Sequence, residues 1–172
     1  MDVATFRNGE IIPEAKTDEE WSAAGINEQP AWCYYENDPK NGTKYGKLYN
    51  WYAVNDSRGL APTGYHIPTD EEWTVLSTFL GGEDVAGKKM KSTSGWNNYV
   101  NGTNSSGFSG LPGGYRNYHE DFFNVGDEGY WWSASEFFHL LTWSRELGYY
   151  YSDLSRRFKY KDFGLSVRCV RD

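Results

Sequence analysis

The sequence predicts an α+β domain of short helices, short strands and long ordered loops. Three observations carry that prediction. Glycine is abundant, at 19 of 172 residues, while Leu, Ile, Val and Met are few, so the core must be built largely from rings. The motif Thr-Asp-Glu-Glu-Trp occurs at 17–21 and again at 69–73, and each copy is a helix-start signal. The last third of the chain alternates apolar and polar residues in runs of strand length. A chain of this length supports a single domain with a real core, here 1–172.

The elements follow in order. After Thr17 the capping box lacks an apolar continuation, so the spacing predicts a short helix or only a turn. Tyr45 to Val54 has spacing that suits a second helix, with Leu48, Trp51 and Tyr52 on its buried face. Asn55-Asp56-Ser57-Arg58-Gly59 breaks it. Pro62-Thr63-Gly64 and Pro68 bracket a short strand, Tyr65 to Ile67. Thr69 opens the best-supported helix. Trp73, Leu76 and Leu80 share a face flanked by Val75 and Phe79, and Gly81-Gly82 ends it. From Gly81 to Gly129 the chain reads as an ordered loop region, too aromatic for disorder. Within it, Leu111-Pro112-Gly113-Gly114-Tyr115-Arg116 reads as a structural crossover and not a phosphate loop. Three strands are expected after it: Tyr130 to Ser135, Leu141 to Leu147 and Gly164 to Val170.

Net charge is −7, with an isoelectric point near 5.0, which argues against a nucleic-acid partner. The C-terminal quarter is a local exception, with Arg145, Arg156, Arg157, Lys159, Lys161, Arg168 and Arg171. These residues form either a solvated strand surface or a positive face for an acidic glycan or protein. No apolar stretch is long enough for a membrane span, so no membrane insertion is expected. No leader is visible after Met1. Cys33 and Cys169 read either as a disulfide pair or as two buried thiols, and neither has zinc-site spacing.

No catalytic motif is legible. His66, His119 and His139 lack metal-ligand spacing, and no carboxylate pair is singled out. No cofactor is expected, although the Asn/Asp-rich loops at 101–104 and 121–128 leave structural calcium open. The densest signal is elsewhere. Between Tyr130 and Phe163 lie 12 aromatics in 34 residues, about twice the 18% of the whole chain. They are interleaved with charge, which suits a display surface better than a core. Phe137, Phe138, Leu140 and Leu141 around His139 form an apolar cluster, read either as core or as an exposed binding patch. Tyr149, Tyr150 and Tyr151 alternate sides if extended, so at least one ring faces outward.

Six ordered blocks resemble a known family. They are GKLYNWYAVND, APTGYHIPTDEEWTVLSTFLGG, VAGKKMKSTSGW, GFSGLPGGYR, GYWWSASE and GLSVRCVRD. From about Pro30 to Asp172 the chain resembles the Fibrobacter succinogenes major paralogous domain, with 1–29 as an N-terminal extension or domain edge. The resemblance implies a C-type lectin-like fold of the formylglycine-generating branch. In that fold two helices pack on short twisted antiparallel sheets. Many family members carry Cys where this chain has Ala61, and that Cys is the natural partner for Cys169. The calcium-lectin motifs EPN, QPD and WND are absent, which disfavours sugar binding bridged by calcium.

A second resemblance is to variable proteins of diversity-generating retroelements, whose C-terminal segment is rewritten at Asn-type codons. Trp131, Trp132, Ser133, Trp143, Arg145, Leu147 and Arg156 match the framework. Phe137, Phe138, His139, Leu140, Leu141, Ser144, Glu146, Tyr150, Tyr151, Asp153, Ser155, Arg157, Phe158, Tyr160 and Asp162 lie at intervening positions. Glu146 departs from an Asn-codon origin. With Tyr149, these residues are the expected ligand-binding set within 130–172. The implied function is non-catalytic binding of a protein or glycan receptor on another cell or particle. The domain is expected outside the cell, on a cell surface or a phage particle, with any leader outside this sequence. The alternatives are a structural extracellular domain, a formylglycine-generating-type enzyme or an accessory domain in polysaccharide breakdown. That oxidase chemistry needs two cysteines at one copper site, and this chain has no matched pair.

Overall fold

The computed structural model describes residues 2–172, and at Tyr99 the backbone alone. Irregular turns at the start bury Phe6 and Ile12. Next come α1 (Asp18–Ile26), β1 (Trp32–Cys33), α2 (Pro39–Tyr45), β2 (Leu48–Tyr49), α3 (Trp51–Val54) and β3 (Tyr65–His66). After them stand α4 (Asp70–Phe79), α5 (Glu83–Met90), β4 (Gly113–Arg116) and β5 (Phe122–Val125). The chain closes with β6 (Glu128–Phe138), β7 (Leu141–Gly148), β8 (Ser155–Tyr160) and β9 (Val170–Arg171). The class is α+β, as the sequence predicts.

The main sheet has the order β5-β4-β6-β7-β8, and β1-β2 and β3-β9 form two small ribbons. β4 runs parallel to β6 while the other pairs are antiparallel, so the sheet is mixed and not antiparallel throughout. At Gly114 the backbone takes φ +65° and a Cβ would strike the Phe123 carbonyl, so only glycine fits there. The expected Leu111–Arg116 crossover is therefore the entry into β4.

Both capping boxes form, through Thr17 with Glu20 and Thr69 with Glu72. The first opens nine residues of helix, more than the bare turn allowed for. It holds because Trp21 anchors it, buried and donating its indole N–H to the Asp162 carbonyl at 3.0 Å. With Phe6 and Ile12, Trp21 makes residues 2–29 contributors to the core.

Three expectations need correction. The helix expected at Tyr45–Val54 is a strand and then one helical turn. Buried Asn50 divides them: its Oδ1 accepts from Ala31 N and Ala53 N, and its Nδ2 donates to the Gln29 carbonyl. The loop region after Gly81 begins with α5. Its buried face is Ala86, Gly87 and Met90, too small a face to give a strong periodic signal. Gly164–Val170 keeps its alternation, with Leu165 and Val167 buried, but makes only isolated bridges to Arg116, Tyr49 and Trp131 before β9. It is wedged among three elements and has no single partner strand.

β3 and β9 are pinned by His66. Its Nδ1 lies 2.7 Å from Asp172 and its Nε2 2.7 Å from Glu72 of α4. These two hydrogen bonds, Asp172 first, raise the imidazole pKa above its ordinary value. A raised pKa contributes stability fully below the unfolded value, about 6.5, and loses it as pH rises through the folded value. The difference in melting temperature between wild type and His66→Gln should therefore be largest between about pH 5 and 6. It should shrink toward zero on the alkaline side. A difference that grows with pH would refute the charged assignment.

Candidate functional site

One face of β7 passes from core to solvent. Leu147 is fully buried among Trp73, Trp96, Trp131 and Leu154. Two residues on, Arg145 is also fully buried, and its Nη1 meets Asp70 at 2.7 Å. Arg156, opposite Arg145 on β8, binds the other Asp70 oxygen at 2.7 Å and covers the Trp143 ring at 3.5 Å. Burial raises the Asp70 pKa, but hydrogen bonds from Arg156 and Arg145 outweigh it and hold the carboxyl below its usual range. Beyond Trp143 the face is open. Phe137 stacks on Phe158 at 5.0 Å and meets Trp143 edge-on at 4.6 Å. Phe137, Phe158 and Leu140 are about half exposed, and Phe138 is 72% exposed. His139 and Leu140 form the turn between β6 and β7, with His139 at φ +29°.

The tyrosine triplet forms a bend after β7 and does not continue as a strand. Tyr149 packs against the Trp73 cluster, while Tyr150 and Tyr151 face solvent. Buried Lys91 holds this bend. Its Nζ donates to the carbonyls of Gly148 at 3.0 Å and Tyr151 at 2.9 Å, and it lies 5.2 Å from the Trp96 ring. Burial lowers its pKa. As the last lysine of the run Lys88-Lys89-Met90-Lys91, it gave no sequence signal for this role. Gly87 of α5 lets the bend dock, because a Cβ there would sit on the Asp153 carbonyl.

The expected binding set divides. Phe137, Phe138, His139, Leu140 and Phe158 gather at the hairpin end, while Arg157, opposite Ser144, lies on the other face of the sheet from Phe158. Tyr150 and Tyr151 lie at the other end of β7. Trp143 and Tyr149 are six residues apart along the chain, roughly 20 Å of strand. These aromatics therefore form separate patches and not one continuous surface. Leu141 is half-buried beside them. Ser144 is fully buried and cannot contact a ligand. Tyr160 joins a third group with Tyr118, at 5.6 Å, and Phe163. Asp153 accepts from the Ser155 hydroxyl, so those two satisfy each other. Asp162 lies partly buried beside α1; its Oδ1 has no partner, and burial raises its pKa.

The positive face does not survive folding. Arg145 and Arg156 share Asp70, Lys159 pairs with Glu146 at 2.7 Å, and Lys161 pairs with Glu136 at 2.7 Å. Within 130–162 only Arg157 is exposed without a carboxylate among the described residues. Cys33 and Cys169 form no disulfide. Burial pushes the Cys33 thiol up to about 12, far from thiolate chemistry. Among the described residues, no three His, Cys, Asp or Glu side chains gather into a metal site. No helix among them is long and apolar enough to cross a membrane.

The fold and these patches define an α+β domain that exposes rings at both ends of a rigid hairpin. The chain belongs to the family described as the Fibrobacter succinogenes major domain, whose model matches residues 1–171. No curated protein and no solved structure matches the chain.

Two substitutions test this framework. Lys91→Met should destabilise by about 1–3 kcal/mol in urea unfolding, since the Gly148 and Tyr151 carbonyls lose their donor. Unchanged stability would show that the bend is held otherwise. Asp70→Asn should cost about 3–5 kcal/mol by leaving the Arg145 charge buried and unpaired. Adding Arg145→Met to Asp70→Asn should recover part of that loss, and strictly additive losses would contradict the pairing.

Proposed function

We propose that this domain is a non-catalytic receptor-binding module of C-type lectin-like fold, displayed outside the cell on a cell surface or phage particle. The observation that carries the proposal is the open apolar end of the β6–β7 hairpin. Phe137, Phe138 and Phe158 stand half or more exposed around Trp143, on a base fixed by the Asp70 ion pairs. Exposed rings on a rigid support give contact area at small entropic cost. The mutual neutralisation of nearby basic residues favours an apolar protein surface over an acidic glycan at this end. Tyr150 and Tyr151 suit a second, more polar contact.

Diversification by a retroelement is part of the proposal. The exposed intervening residues sit where the backbone is held by other groups, so their identities can change at little cost. His139 at φ +29° occupies a conformation that Asn also adopts readily, which agrees with an Asn-type codon. Sequences from independent isolates should differ at Phe137, Phe138, His139, Leu140, Tyr150, Tyr151, Arg157 and Phe158. They should retain Asp70, Arg145 and Arg156, and position 144 should stay small. Identity at all the exposed positions would sink the diversification. The double substitution Phe137→Ala, Phe158→Ala should abolish capture of proteins from host-surface extracts and leave the melting temperature within a few degrees. Undiminished capture would sink the binding role of this patch.

A further inference from the structure

The outer side of α4 carries a feature that the hairpin does not use. Val75 and Phe79, one helical turn apart, are 64% and 86% exposed, with half-buried Leu76 beside them. With Trp73, Phe108 and Val170 they line an apolar groove of about 670 Å³, within the size range of small-molecule sites.

Two charged side chains line this groove, Glu72 and Arg168. The Glu72 carboxylate is already engaged, by His66 at 2.7 Å and by the Thr69 amide at 2.8 Å. Arg168 differs. Its guanidinium donates one hydrogen bond, from Nη2 to the Phe108 carbonyl at 2.9 Å, and lies 4.8 Å over the Phe108 ring. It has no carboxylate partner among the described residues. The fully buried arginines, Arg116 and Arg145, each meet an aspartate, at 2.6 and 2.7 Å. Burial depresses the Arg168 pKa, and the neighbouring Cys169 thiol offsets that only in part. A guanidinium has five N–H donors arranged to grip a carboxylate with two parallel bonds. Of the two charged groups, Arg168 is thus the one without an oppositely charged partner among the described residues.

We propose that this groove binds a small apolar molecule bearing one carboxylate. The apolar body lies along Val75, Leu76 and Phe79, and the carboxylate takes the remaining donors of Arg168. The site is separate from the hairpin patch and stands whether or not that patch binds a receptor.

Titration calorimetry on the full chain tests it, with decanoate below its micelle concentration as the probe and decanol as its neutral match. Decanoate should bind one per chain and more tightly than decanol. Arg168→Met should weaken decanoate by about tenfold to a hundredfold, the worth of a charge-assisted hydrogen bond, and leave decanol unchanged. Val75→Glu, at an exposed helix position that folding tolerates, should abolish decanoate binding. Absence of binding, equal affinity for decanol, or an undiminished decanoate affinity in either variant would overturn the proposal. So would a concentration-dependent dimer in sedimentation that Val75→Glu dissolves, because a second copy would then be the occupant.

Discussion

The structure depends on one carboxylate. Asp70 opens α4 directly after its Thr69 cap, where the helix dipole already favours negative charge. It receives Arg145 from β7 and Arg156 from β8, and its own backbone carbonyl accepts from Arg145 Nη2 at 3.1 Å. One residue thereby fixes the helix against two strands at the place where core becomes surface. The arrangement is not optimised for energy, since Arg145 Nε is buried with no partner. Buried ion pairs rarely exceed a hydrophobic replacement in stability. What this one supplies is position: it sets the height of Trp143 and, through it, the stacked Phe137 and Phe158.

The rest of the core follows a related rule. Few aliphatic residues are available, so tryptophans fill the volume, and a buried indole needs an acceptor for its N–H. Trp132 donates to the Tyr49 carbonyl, Trp73 to Trp132, Trp51 to Ser133 and Trp32 to Ile12. Each bond ties a ring to the backbone of a distant segment. A core of this kind tolerates short strands and long loops, because register is held by directional bonds as well as by ladders. Lys91 extends the same principle to the tyrosine bend, where an ammonium serves backbone carbonyls.

The sequence was legible where local signals agreed. At Thr69 the capping box, the Trp73–Leu80 face and the terminal glycines all pointed to one helix, and α4 formed. At Tyr45–Val54 the apolar spacing was real, but Asn50 was spent on capping one turn and on holding the neighbouring segment, which no periodicity count reveals. β8 went unseen because its residues are charged or aromatic on both faces. The aromatic and basic segment was legible as a composition, not as an arrangement. Spacing shows that residues alternate; it does not show that Glu136, Glu146 and Asp70 arrive from other elements to cancel the basic charges. Nor does it show that Tyr150 and Phe158 end near opposite ends of β7.

That separation bears on how such a surface can change. A residue alters specificity cheaply when its backbone is held by others and its side chain holds nothing. Phe138 and Tyr151 meet both conditions, since the β6–β7 ladder and Lys91 hold the chain beside them, whereas Tyr150 packs on the Tyr149 ring at 3.9 Å. Ser144 meets only the first, because its hydroxyl donates to the Arg157 carbonyl and a larger side chain there would enter filled space. The boundary between the two classes runs through Trp143, ringed above by Phe137 and below by Arg156. Substitutions on the solvent side of that ring exchange one contact surface for another, whereas substitutions beneath it expose a buried charge. Position relative to Asp70, more than residue type, therefore decides whether a change in this segment alters the exposed surface or the folding.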